Sequence, residues 1–275
     1  MSKHKKTRKN NTVAAPNDAV TKKSKDQSPR VPQRDKIDYP INLRERDDLT
    51  DKQKQLIELI LDKDTKLVFL SGPAGTSKTF LAVYCGLLLL QKHTVSDVLY
   101  IRSIAESASK SLGSLPGDQN DKMNPFLMPL YDKLDELLPR PDVDRLVKDE
   151  RISGLPINYL RGSSFNARMV LSDESQNLTF KEMTTLITRV GKFSKLIVAG
   201  DMDQSDINGS SGFSKMFDLF NDEDSRNQGI HCFSFTAADI VRSGLVRYIV
   251  ERLDAHRMAS SKSEPMFPAK TTPDK

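Results

Sequence analysis

The chain has 275 residues and a mass of 30.9 kDa, with 37% hydrophobic and 29% charged residues, which is room for one large domain or two small ones. No apolar run approaches the ~20 residues a membrane span requires, and no apolar segment follows the basic N-terminus to make a secretory signal. The formal net charge is +5, yet residues 1–36 alone hold 11 Lys and Arg against three Asp, so the remainder sums to −3.

Residues 1–46 are polar, contain proline and are poor in large apolar groups, so a disordered basic tail is expected there. Such an arm suits either RNA or DNA, through phosphate screening, or simple solubility. An ordered domain is expected over 47–257, opening with a helix capped by Thr50, in which Leu56, Ile57, Ile60 and Leu61 share a face. Leu67 to Leu70 reads as a buried strand. Gly72-Pro73-Ala74-Gly75-Thr76-Ser77-Lys78-Thr79 follows as a loop of small residues, and Phe80 to Leu90 as a buried helix. Strand, loop and helix in that order place backbone N–H groups and a helix N-terminus around an anion. In that frame Lys78 reaches the terminal phosphates of a nucleotide and the Thr79 hydroxyl holds Mg²⁺. Ser77 stands where the phosphate-loop pattern has glycine, and its Cβ crowds the closest approach to phosphate.

Farther along, Asp97 to Arg102 is a second strand. The stretch 103–156 turns polar and helical and reads as an insertion, and Ile157 to Leu160 as a short strand. Met169 to Glu174 is an apolar strand ending in two carboxylates. Phe180 to Arg189 is helical, and Lys195 to Asp201 is a strand ending in an acid. Ile230 to Phe235 is the last strand, Ala237 to Leu253 the last helix, and 258–275 a polar tail. Alternating strands and helices predict an α/β fold, a mainly parallel sheet with helices on both faces and ligands at the carboxyl ends of the strands. The phosphate loop, Asp173-Glu174 and Asp201 all fall at such ends. Asp173 is the candidate Mg²⁺ ligand, and Glu174 the candidate base that orients water. His4, His93, His231 and His256 are scattered, and Cys85 and Cys232 have neither metal nor redox spacing, so no metal beyond Mg²⁺ is expected and both thiols read as reduced, in a cytoplasmic chain.

Gly72 to Thr79, Asp173-Glu174-Ser175-Gln176-Asn177 and Gly200-Asp201-Met202-Asp203-Gln204 resemble motifs I, II and III of superfamily 1 helicases. More narrowly they resemble the PhoH family of phosphate-starvation-inducible ATPases. Arg102, Glu106, Leu112 to Asp118, Tyr159 to Gly162 and Asp239 to Val246 carry that resemblance along 49–253. The departures are Ser77, Ser103, Ser163 and Ser172; with the chain's compactness they point to a viral (phage) copy. The resemblance implies a RecA-like P-loop NTPase that binds ATP and Mg²⁺. In it Gln53 reads the adenine, Gly72 to Phe80 wrap the phosphates, Lys78 and Glu174 act on the γ-phosphate and water, and Gln204 senses the γ-phosphate. It also implies a ring, a hexamer, with Arg161, Arg189 or Arg242 as the arginine that reaches the γ-phosphate. An ATPase, with helicase activity as a possible extension, is thus expected, acting on RNA or single-stranded DNA. The rival is a nucleotide-dependent nucleic-acid-binding ring or switch with little turnover. The insertion, with Lys110, Lys122, Phe126 and Tyr131, either faces nucleic acid or packs as a helical cap.

Overall fold

A computed structural model describes residues 37–103, 119–160, 164–205, 207, 211–241 and 244–261, with 119–125, 254 and 257–261 described by their backbone alone. Six strands form one sheet in the order β3-β2-β4-β5-β1-β6, and every neighbouring pair is parallel. They are β1 (Leu67–Ser71), β2 (Asp97–Arg102), β3 (Ile152–Pro156), β4 (Arg168–Asp173), β5 (Lys195–Gly200) and β6 (Ile230–Ser234). The helices are α1 (Asp51–Leu61), α2 (Lys78–Gln91), α3 (Gln119–Leu137), α4 (Arg140–Lys148), α5 (Phe180–Ile187), α6 (Phe213–Leu219), α7 (Glu223–Asn227) and α8 (Gly244–Ser261). This is an α/β fold on a parallel sheet, as the alternation of strands and helices predicts.

Central strands read as unbroken apolar runs because helices cover both faces. The period of two divides each strand between two cores. Val68 and Leu70 face one core with Leu56 of α1, Leu81 of α2 and Leu134 of α3. Leu67 and Phe69 face the other with Met183 and Leu186 of α5 and Phe213 of α6. β5 lies between β1 and β4, with Phe69 in register with Val198. The turn leaving β5 therefore stands between the loop after β1 and the acids after β4.

Four expectations change. Residues 37–46 are packed rather than part of a tail: Ile37 and Ile41 are buried in the first core. Tyr39 Oη donates to Asp149 (2.9 Å), and the Arg44 guanidinium donates to the carbonyls of Asp135 and Glu136. A few isoleucines and well-placed hydrogen bonds suffice where composition reads as polar. The third strand is Ile152–Pro156, not Ile157–Leu160, which holds a short 3₁₀ turn. The stretch 103–156 thus contains a sheet strand, and its α3 and α4 put Leu130, Leu134, Leu137 and Leu146 into the main core. Gly154 lets α3 approach β3, since a Cβ there would come 2.2 Å from Leu127 Cδ2. The last helix starts at Gly244 instead of Ala237 and continues to Ser261, past the expected tail boundary. Among the described residues no helix is long and apolar enough to cross a membrane.

Candidate active site

The loop between β1 and α2 is shaped by its small residues. Gly72 has no room for a side chain, because a Cβ would sit 2.7 Å from Phe235 Cβ. Gly75 takes φ 90°, a left-handed angle that glycine adopts freely. Thr76 is fully buried, and its hydroxyl donates to the Pro73 carbonyl at 2.9 Å. The loop closes over Lys78, whose ammonium donates to the carbonyls of Gly72 (2.5 Å) and Pro73 (3.0 Å). Burial lowers the Lys78 pKa, opposed by Asp201, Glu174 and Asp173 nearby. Ser77, the N-cap of α2, gives no side-chain cap. The first N–H groups of the helix are therefore not spent on a cap and suit an anion.

The acids converge on the same place. Asp173 ends β4 and is buried, and its carboxylate accepts from the Thr79 hydroxyl at 3.0 and 3.1 Å to its two oxygens. Tyr100 Oη, fully buried on β2, donates to Asp173 Oδ2 at 2.8 Å. Desolvation and the neighbouring Glu174 push the Asp173 carboxyl up, against the pull of the Tyr100 and Thr79 hydrogen bonds and Arg102. Burial, and then Asp173, push the Tyr100 phenol up in turn. Glu174 has φ 51°, faces Arg102 at 3.7 Å and accepts from Gln176 Nε2 at 2.7 Å. The other end of that carboxamide, Gln176 Oε1, accepts from the Asp201 N–H at 3.1 Å. One glutamine thus fixes the turn after β4 against the turn after β5. Ser172 in the β4 strand is accounted for locally, its hydroxyl lying 2.8 Å from that of Ser175.

Lys78, Thr79, Asp173, Glu174, Asp201 and Gln204 line one cavity of about 560 Å³, with Ala74, Gly75, Ser77 and Phe80 of the loop and helix start. Gly72, Pro73 and Thr76 lie behind that lining, in the body of the loop. Gln53 borders the cavity from α1. It is buried, and its Oε1 accepts from the Thr50 N–H in a capping box, so Nε2 is the end with hydrogens to donate. Arg46 also lines it, with Lys133 and Glu136 of α3. Arg189 lies elsewhere. It follows α5, and its carbonyl accepts from the Phe165 N–H (2.8 Å) near the amino ends of β4 and β5, opposite the cavity. Arg161, Arg242 and Lys110 lie outside the described residues, as does the side chain of Lys122. Tyr131 packs against the first core. Among the described residues no cluster of three or more His, Cys, Asp or Glu is placed to hold a metal.

Sequence reading did not single out Tyr100, Gln176, Arg46 or Glu136 as site residues. Tyr100 carried a signal, since a buried phenol needs a partner for its O–H, and Gln176 stands inside the Asp173 to Asn177 motif, two residues from Glu174, to which it bonds. Arg46 and Glu136 owe their place to a contact between distant segments.

Residues 47–254 match the family PhoH, described as PhoH-like protein. A PhoH-like protein of Mycobacterium tuberculosis strain H37Rv is 37% identical over 201 residues, 72% of this chain and 55% of that protein. One from Bacillus subtilis strain 168 is 37% identical over 194 residues, 70% of this chain and 59% of the relative. One from Synechocystis is 35% identical over 218 residues, 78% of this chain and 63% of the relative. The chain thus spans between half and two thirds of these relatives' length. Among solved structures, one of C. elegans PCH-2 covers 80% of this chain and 46% of that chain at 15% identity with a TM-score of 0.26, too slight a likeness to argue from. With the family's matched region taking in the phosphate loop, both acidic turns and the start of α8, the chain belongs to the PhoH family.

Proposed function

We propose that this chain binds ATP in the cavity and hydrolyses it, in the cytoplasm, in coupling to RNA or single-stranded DNA. The observation that carries the reading is the pairing of Thr79 with both oxygens of Asp173, across 94 residues of sequence, beside a loop closed on Lys78. In this reading Lys78 exchanges the carbonyls of Gly72 and Pro73 for phosphate oxygens, neutralising charge that develops on the γ-phosphate. Glu174 holds the attacking water and takes its proton. Gln204 contacts the γ-phosphate, and Gln53 donates to the adenine. The Thr79 hydroxyl and the Asp173 carboxylate are hard oxygen donors side by side and fit Mg²⁺, which keeps most of its ligands as water and phosphate. Bound there, it supplies neutralisation of phosphate charge. An arginine from a neighbouring subunit of a ring, a hexamer, completes the site; Arg161, Arg189 and Arg242 are the candidates, with Arg242 also able to act in its own subunit. The basic arm, with 11 Lys and Arg in residues 1–36, supports nucleic-acid binding.

A second reading, a nucleotide-dependent nucleic-acid-binding ring or switch with little turnover, draws on Ser77 in the phosphate loop and on Glu174 tethered by Arg102 and Gln176. Phosphate release with and without RNA and single-stranded DNA separates the two. Glu174→Gln and Lys78→Ala are expected to slow hydrolysis by about 100-fold or more. A rate unchanged by both substitutions removes the enzyme from consideration.

A further inference from the structure

One wall of the cavity is built around an arginine. Arg46 lies with its guanidinium carbon 4.7 Å from the centroid of the Phe80 ring. Phe80 is buried, its ring parallel within 5° to that of Tyr84 at 6.3 Å. The guanidinium is held in place by two carboxylates. Asp48 accepts from Nε (2.9 Å) and Nη2 (2.8 Å), and Glu136 accepts from Nη1 at 3.2 Å. Glu136 also accepts from Lys133 Nζ at 3.0 Å, one turn back on α3. Arg46, Phe80, Lys133 and Glu136 all border the cavity that contains Lys78.

With three of its five N–H donors held by two carboxylates, the flat guanidinium is fixed in orientation and offers a face to a ligand. One face covers Phe80. The arginine's charge already faces the carboxylates of Asp48 and Glu136, which compete with a triphosphate for it. A planar heterocycle is the ligand whose surface suits a guanidinium face. The chain geometry places it well, because Phe80 is two residues beyond Lys78 on the same helix. A ligand with its phosphates on the loop therefore has its base at this end. We infer that Arg46, stacked on Phe80 and pinned by Asp48 and Glu136, is the nucleobase platform of the site, and that it favours a purine over the smaller face of a pyrimidine. The inference rests on the nucleotide-binding reading given above. It gives α3 a part in substrate recognition, since Glu136 fixes the platform from that helix.

The test separates base from phosphate. Binding of ATP, CTP and inorganic tripolyphosphate, each with Mg²⁺, is measured by calorimetry on the full chain. In wild type ATP is expected to bind about tenfold more tightly than tripolyphosphate or CTP. Arg46→Ala is expected to abolish that advantage while leaving tripolyphosphate affinity within about twofold, which also shows that the variant is folded. Arg46→Lys should fail to restore it, since an ammonium offers no flat face. Glu136→Gln should lose about half of the advantage, on a logarithmic scale. Unchanged ATP affinity in Arg46→Ala overturns the platform, and so does an equal loss for ATP and tripolyphosphate. A Lys78→Ala chain that binds tripolyphosphate as well as wild type overturns the phosphate-loop reading underneath, and the platform with it.

Discussion

Two residues at the heart of the site take a backbone conformation that L-amino acids avoid. Ser77 has φ 64° and Glu174 φ 51°, each at a cost of roughly 1–2 kcal/mol. The two have different consequences. Glu174 is held by Arg102 and Gln176, so its backbone angle aims a carboxylate at the cavity. Ser77 makes no side-chain cap, and glycine would adopt the same angle freely. Ser77→Gly should relieve the strain while raising the entropy of the unfolded chain by about 0.5–1 kcal/mol, so the net gain is at most about 1 kcal/mol. That corresponds to a rise in Tm of about 2–4 °C. Removing the Cβ also lets phosphate approach the backbone more closely, so ATP should bind severalfold tighter by calorimetry. Ser77→Ala keeps the left-handed strain and the Cβ and should gain neither. Equal ATP affinity in the glycine variant and wild type would show that the serine does not crowd the ligand.

Between elements, one buried cation fastens the amino ends of the strands, away from the cavity. Lys195 opens β5 and is buried, and its ammonium donates to the carbonyls of Asp62, the C-cap of α1, and Thr65 (2.7 Å). Burial lowers its pKa, opposed by Asp62 and Asp64. Lys195→Ala leaves those carbonyls without this donor, at a cost of about 2–3 kcal/mol, so Tm should fall by about 5–10 °C. Hydrolysis measured well below that Tm should stay within about twofold of wild type, because the cavity lies at the opposite ends of the strands. A large loss of rate without a loss of Tm would contradict this division. The same elements mark what the sequence made readable. β1, β2, β4, β5 and β6 are apolar runs closed by turn residues or acids, and local pattern suffices for them. β3, Ile-Ser-Gly-Leu-Pro, has poor strand propensity and exists because β2 offers it a free edge. α6 is a short apolar segment after serines and glycines and has no periodicity long enough to read. Within the site the phosphate loop and Asp173-Glu174 are contiguous motifs and were legible. The partners Tyr100 and Asp173 are 73 residues apart, and Arg46 and Glu136 are 90 apart, so only the fold brings them together.

At the scale of the molecule, four of the exposed large apolar side chains among the described residues belong to α8. Leu245, Tyr248, Ile249 and Leu253 are 68%, 59%, 47% and 52% exposed, and their spacing of three and four places them along one face. Val250 is the buried member among its described side chains. An 18-residue helix with so little packing gains its stability from whatever covers that face. The stripe begins at the site itself. Val241, 47% exposed, borders the cavity, and its N–H donates to the Gly75 carbonyl in the phosphate loop at 3.3 Å. Lys52 pairs with Asp239 at 2.9 Å and holds the same segment to α1. In the proposed ring a neighbouring copy covers this face, and nucleotide in the loop bears on the contact through Gly75 and Val241. Linkage then requires the converse, so assembly and ATP affinity strengthen each other. Light scattering after size exclusion should show an assembly several times the 30.9 kDa chain mass, more fully formed with ATP. Leu245→Glu with Tyr248→Glu should shift it to the monomer and weaken ATP binding, while tripolyphosphate still protects the phosphate loop from exchange. A double variant that assembles like wild type would move the contact off α8, and a wild type that is monomeric with and without ATP would remove the ring.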